Sequence, residues 1–112
     1  MIEPPSFEVR SEFDSGTGRL TPVGELDIAT APELEEAARA TIARGARELT
    51  IDLRELSFMD SSGLRLLIVL RERATSEGWT LRLLKPAGQV LTILALTGAD
   101  ENLPFVEDPG PS

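Results

Sequence analysis

Phe58-Met59-Asp60-Ser61-Ser62-Gly63-Leu64 sits between the alternating segment Leu49-Thr50-Ile51-Asp52-Leu53 and the apolar run Leu66–Leu70. Alternation of apolar and polar residues predicts a strand over the first segment, and the apolar run predicts a mostly buried helix over Leu64–Arg73 that stops before Gly78. The quoted stretch is therefore a strand-to-helix junction carrying two serines and an aspartate. A serine there has two readings. It can cap the helix, as Ser does well. It can also present a hydroxyl at a helix N-terminus, where free N–H groups and the helix dipole favour a phosphate. The two are compatible if Ser62 helps to cap the helix and Ser61 stays free for modification, which makes Ser61 a candidate phosphorylation switch.

Working outward, the same strand–helix alternation recurs. Phe7, Val9 and Phe13 share a parity, Asp14-Ser15-Gly16-Thr17-Gly18 has turn chemistry, and Leu20–Val23 returns as a second strand. Pro22 has no N–H, so an edge or a bulge is expected at that point. Thr30-Ala31-Pro32-Glu33 has the form of a capping box. In the helix that follows, Leu34, Ala37, Ala38, Thr41 and Ile42 share one face, Glu35 and Arg39 form an i, i+4 pair, and Gly45 suits a left-handed exit. Trp79–Leu84 reads as a fourth strand ended by Lys85-Pro86. Val90, Leu91 and Leu94 mark a third helix closed by Gly98, and Pro104–Val106 is a last short extended piece.

A hairpin followed by three helix–strand units predicts a single α/β domain over residues 7–106, with a mixed, mostly parallel sheet packed with helices. Residues 1–6 and 107–112, rich in Pro or in acid and Pro-Gly, read as disordered tails. In such a sheet the loops after parallel strands emerge at one edge, where ligands and partners usually meet the protein. Those loops are Gly24–Thr30, Arg54–Ser61 and Lys85–Gly88, so Glu25, Asp27, Asp60, Ser61 and Lys85 are expected to converge.

Composition narrows the chemistry. The 112 residues suffice for one small domain, and 41% apolar with 27% charged residues is the balance of an ordinary soluble globular protein. The net charge of −8 argues against nucleic acid or an anionic membrane and for a locally basic partner. With no cysteine and no histidine, disulfides, the usual zinc sites and Ser-His or Cys-His catalysis are excluded. The carboxylates at the loop edge allow a Mg²⁺ reading, but the Asp27–Asp60 spacing is that of caps and turns, and no metal or other cofactor is expected. Neither glycine-rich phosphate fingerprint is present. The longest apolar run is too short to span a bilayer and the N-terminus lacks the parts of a signal peptide, so a cytoplasmic protein is expected. A response-regulator receiver also has an aspartate after its third strand. Its acidic pair after the first strand has no counterpart here, because Phe13-Asp14-Ser15-Gly16 falls inside the hairpin.

Two segments together carry a family signature. Gly24-Glu25-Leu26-Asp27-Ile28-Ala29-Thr30-Ala31-Pro32-Glu33-Leu34 resembles the first signature of the STAS domain of bacterial anti-sigma-factor antagonists, and Met59-Asp60-Ser61-Ser62-Gly63-Leu64 resembles its phosphorylation loop. Leu94–Phe105 is similar to the Leu-Thr-Gly ending after the family's third helix. The resemblance covers residues 7–106 and implies an anti-sigma-factor antagonist. Such a protein binds a serine kinase of the histidine-kinase-like ATPase type and releases a sigma factor. The kinase phosphorylates the residue that falls on Ser61, and a PP2C-type phosphatase reverses this. ATP and Mg²⁺ belong to the kinase, so this chain would be a substrate and binder without catalysis of its own. The kinase-contacting aspartate maps to Asp27, and Glu25, Asp60, Ser62, Gly63 and Leu64 are the further expected contacts. Lys85, if close, would pair with the phosphate. The resemblance departs from the family at Pro22 and at the C-terminus, where the usual helix reads as short or absent. A monomer is expected, with a dimer conceivable through the exposed face. The alternative reading is an accessory STAS domain of a lipid or anion transport system without a phospho-switch.

Overall fold

The computed structural model describes residues 7–107 and has ten elements. They are β1 (Phe7–Asp14), β2 (Thr17–Leu26), α1 (Ala31–Ala43), β3 (Glu48–Asp52), β4 (Leu56–Met59), α2 (Ser61–Glu77), β5 (Thr80–Leu84), α3 (Gly88–Leu96), α4 (Ala99–Asn102) and β6 (Phe105–Val106). The strands form one sheet in the order β1-β2-β3-β5-β6, with β4 paired to β2. Only β1 runs antiparallel to its neighbour, so the sheet is mixed and mostly parallel, as the alternation predicts. Of the expected tails, residues 1–6 and 107–112, all but Glu107 lie outside the described residues.

Alternation along the strands fixes the layers. Leu20, Leu49, Ile51, Leu81 and Leu83 are buried, whereas Arg19, Thr50 and Arg82 on the opposite parity stay partly or fully open. The helices therefore cover one face of the sheet, with α1 on β2, α2 on β5 and α3 on β4. On α1, Leu34, Ala38 and Thr41 are buried and Ala37 and Ile42 pack against the core, which is the face the periodicity marks. Apolar area removed from water at about 25 cal/mol per Å² is the main force holding these layers together.

Four expectations are corrected. First, the segment Arg54–Ser61 is not all loop, because it contains β4. This strand is short and is held by only three paired residues of β2, Gly24, Glu25 and Leu26, with a register shift between the first two. Second, β2 pairs with β3 over Thr17–Leu20 and with β4 over Gly24–Leu26. Pro22 falls in the interval between the two parallel ladders while it opposes Val9 of β1, so the missing N–H costs neither of them a bond. Third, Arg39 pairs with Glu36 at 3.2 Å, and Glu35 instead reaches Arg73 of α2 at 3.4 Å. Fourth, Thr30 is the first residue before α1 but its side chain makes no capping bond to the helix.

Candidate functional site around Ser61

The site is assembled where β2 and β4 end side by side. Leu26 pairs with Met59, and the Asp60 N–H donates to the Leu26 carbonyl at 3.1 Å. The two signature segments, more than thirty positions apart in sequence, are thus stitched together by backbone hydrogen bonds.

On the β2 side, Asp27 and Thr30 close a tight turn. Asp27 Oδ1 accepts from the N–H groups of Ala29 (2.9 Å) and Thr30 (3.1 Å). Thr30 Oγ1 accepts from the Asp27 N–H at 2.9 Å and donates to the Glu25 carbonyl at 2.8 Å. Thr30 is therefore committed to the turn, which is why it does not complete a capping box. The turn leaves Glu25 and Ala29 exposed, and Ile28 is 78% exposed.

On the β4 side, Asp60 is the N-cap of α2. Its extended backbone (φ −108°, ψ −170°) lets Oδ1 accept from the N–H groups of Ser62 at 2.8 Å and Gly63 at 3.3 Å. The aspartate, not Ser62, caps the helix, and this corrects the expected division of labour between the serines. Ser61 is the first residue of α2 and is exposed; its hydroxyl makes no hydrogen bond among the described residues. Ser62 is half-buried. Gly63 is buried against the end of β2, where a Cβ would lie 2.7 Å from Met59 Cγ and 2.9 Å from Leu26 Cδ2. Gly63 thus sets how closely α2 approaches the sheet and offers no surface. Leu64 is half-buried against the core.

Glu25, Asp27, Asp60 and Ser61 are brought to one end of the β2–β4 ladder. Lys85 is not. The Leu53 N–H bonds to the Leu84 carbonyl, so Lys85 emerges beside Leu53 and Arg54, and its Nζ lies 5.9 Å from the centre of the Phe105 ring. The four residues of β4, rising about 3.3 Å each, stand between that point and Ser61. The missed strand is the reason for the missed separation. Among the described residues no group of three or more carboxylates is gathered as a metal site, and no helix is long and apolar enough to cross a membrane.

One buried, ion-paired carboxylate escaped the sequence reading. Asp52, at the end of β3, is 5% exposed and is gripped by two arginines. Arg19 Nη2 donates to Oδ2 at 2.9 Å, and Arg54 donates Nε and its backbone N–H to Oδ1 and Nη2 to Oδ2 at 2.9–3.0 Å. Burial pushes the Asp52 carboxyl up, but the Arg54 and Arg19 hydrogen bonds and the Arg54 charge outweigh it, and its pKa lies below the usual 3.8. The Asp52-x-Arg54 spacing carried the signal; Arg19 is supplied by the parallel register of β2 with β3.

Comparison with known proteins agrees with this geometry. The sequence matches the family described as "Mlab, STAS domain" over residues 9–107. It is 32% identical over 75 residues to an anti-sigma-B factor antagonist of Staphylococcus aureus, covering 67% of this chain and 69% of that one. It is 36% identical over 73 residues to the anti-sigma-F factor antagonist RsfB of Mycobacterium tuberculosis, covering 65% of this chain and 60% of that one. Among solved structures, an anti-sigma factor antagonist from Mycobacterium paratuberculosis superposes with a TM-score of 0.80 at 28% identity, over 97% of this chain and 92% of that one. With the fold, both signature loops and a match over nearly all the described residues in agreement, the chain belongs to the STAS domain family.

Proposed function

We propose that this chain is an anti-sigma factor antagonist whose binding is switched off by phosphorylation of Ser61. The observation that carries the reading is the pairing of an exposed, unengaged Ser61 hydroxyl with an Asp60 carboxylate that already occupies the next two helix N–H groups. The names of the two antagonists from Staphylococcus aureus and Mycobacterium tuberculosis support it.

The partner is a serine kinase of the histidine-kinase-like ATPase type that otherwise holds a sigma factor. Transfer of the ATP γ-phosphoryl group breaks its bond to the β-phosphate oxygen and forms an ester bond to Ser61 Oγ. ADP leaves and the hydroxyl proton passes to a base on the kinase. A PP2C-type phosphatase hydrolyses the ester and returns the hydroxyl. Phosphorylation adds about 1.5–2 negative charges. Because Asp60 fills the cap, the helix end cannot absorb that charge through the Ser62 and Gly63 N–H groups, and the phosphate stands beside a carboxylate. No hydrogen bond of the fold is lost, so the domain stays folded while the binding surface becomes repulsive and bulky. A coupling of about 1–3 kcal/mol lowers affinity five- to hundredfold.

The test is incubation with the cognate kinase and ATP. One phosphate on Ser61 by mass spectrometry, none in Ser61→Ala, and loss of kinase binding in Ser61→Asp are expected. No phosphate with any encoded kinase of this type, or full binding by Ser61→Asp, rejects the switch in favour of an accessory STAS domain.

A further inference from the structure

Ile28, at 78% exposure, is one of three exposed large apolar side chains among the described residues, with Leu96 and Val106, and of these it is the one in the turn beside Asp27. It is also held still. Its neighbours Asp27, Ala29 and Thr30 are locked by the turn bonds to Asp27 Oδ1 and Thr30 Oγ1, so the Ile28 backbone has little freedom left to lose. It stands two residues beyond Leu26, and Ser61 stands one beyond Asp60, whose N–H is bonded to the Leu26 carbonyl. Residues 24–36 and 55–64 contain seven carboxylates and no lysine or arginine; Glu35 and Glu36 are paired with Arg73 and Arg39, whereas Glu25, Asp27 and Asp60 pair with no lysine or arginine among the described residues.

We propose that Ile28 is the apolar anchor of the switch surface and selects the partner, entering an apolar pocket rimmed by lysine or arginine on the kinase. This rests on the function proposed above. The acidic surround gives the occupant its chemistry, because Glu25, Asp27 and Asp60, which pair with no lysine or arginine among the described residues, are matched by a basic rim. A preorganised side chain entering a desolvated pocket is the kind of contact that dominates an interface. The carboxylates steer encounter while Ile28 governs how long the complex lasts. Partners that differ in the shape of that pocket are then told apart by one residue of this chain.

The experiment measures dissociation of unphosphorylated wild type, Ile28→Ala, Ile28→Leu and Val106→Ala from the purified cognate kinase with ADP, by surface plasmon resonance. Val106, also apolar and 38% exposed, is on β6 and serves as the control. Ile28→Ala is expected to weaken binding by roughly tenfold or more through faster dissociation, Ile28→Leu by less than about threefold, and Val106→Ala by less than about twofold. Circular dichroism checks that all variants fold. Ile28→Ala within about threefold of wild type, or an equal loss in Val106→Ala, overturns the anchor while leaving the switch standing. An Ile28-dependent dimer of this chain alone, seen by sedimentation, overturns it in favour of a second copy. No binding of wild type to any kinase of this type overturns both readings.

Discussion

Asp52 and Asp60 both sit where a parallel strand ends, yet they are treated oppositely. Asp52 is almost wholly buried and holds two arginines. Asp60 is half-buried, receives only backbone N–H groups, and among the described residues pairs with no lysine or arginine; Asp27 is likewise half-buried and unpaired with lysine or arginine, its Oδ1 accepting from two backbone N–H groups and lying 3.2 Å from the Thr30 hydroxyl. The difference shows how one residue type serves two ends in the same sheet, tying strands together and shaping an exposed loop. A charge neutralised by side chains ties strands together and is silent to a partner. A charge satisfied by backbone dipoles fixes a loop and keeps its full sign at the surface, where, on the proposed function, added phosphate would change the total.

The contrast can be broken by substitution, starting with the position that joins the two loops. Gly63→Val forces a side chain into Met59 and Leu26 and should cost about 3 kcal/mol in urea unfolding. A loss below about 0.5 kcal/mol would show that α2 stands off the sheet. Asp52→Ala leaves two arginines without their shared acceptor and should cost about 2 kcal/mol, with kinase binding unchanged. Asp60→Ala removes one helix cap and should cost about 1 kcal/mol, while kinase binding falls more than stability does. If Asp60→Ala instead matched Asp52→Ala in stability and left binding intact, the distinction between the two carboxylates would fail.

Acid sharpens the same comparison with the smallest effect. The Asp52 pKa is lowered in the fold, so its contribution is fully present above the ordinary 3.8 and is lost as pH falls through the folded value. Stability measured against pH should therefore drop below about pH 4 in wild type, and this part of the drop should be absent in Asp52→Asn.

The sheet and its main helices were legible because each buries one stripe with a regular period, as on β3 and α1. β4 was not, since Leu56-Ser57-Phe58-Met59 is too short to establish alternation and its three partners lie on β2, far away in sequence. The adjacency of Ser61 and Asp27 was legible because the loops that carry them follow parallel strands. The role of Asp60 was not, because Ser, Asp and Asn cap equally well and only the extended Asp60 backbone decides among them. The Glu35 partner was misread for a related reason: a side chain on a helix surface pairs within its own helix only if no neighbouring helix offers better, and Arg73 does. Asp52 looked like one more outward polar residue, since nothing local announces that Arg19 lies across the ladder.

The interval at Pro22 bears on how this domain changes over evolutionary time. Upstream of it β2 is registered to β3, which is in turn registered to β5 along five residue pairs; downstream its parallel partner is β4 alone, with the start of β1 on its other side. An insertion or deletion between Leu53 and Leu56 would shift the short strand and the segment it carries without moving the longer ladders. The architecture therefore separates a frame whose register is fixed by long ladders from a short segment that can be revised without disturbing it.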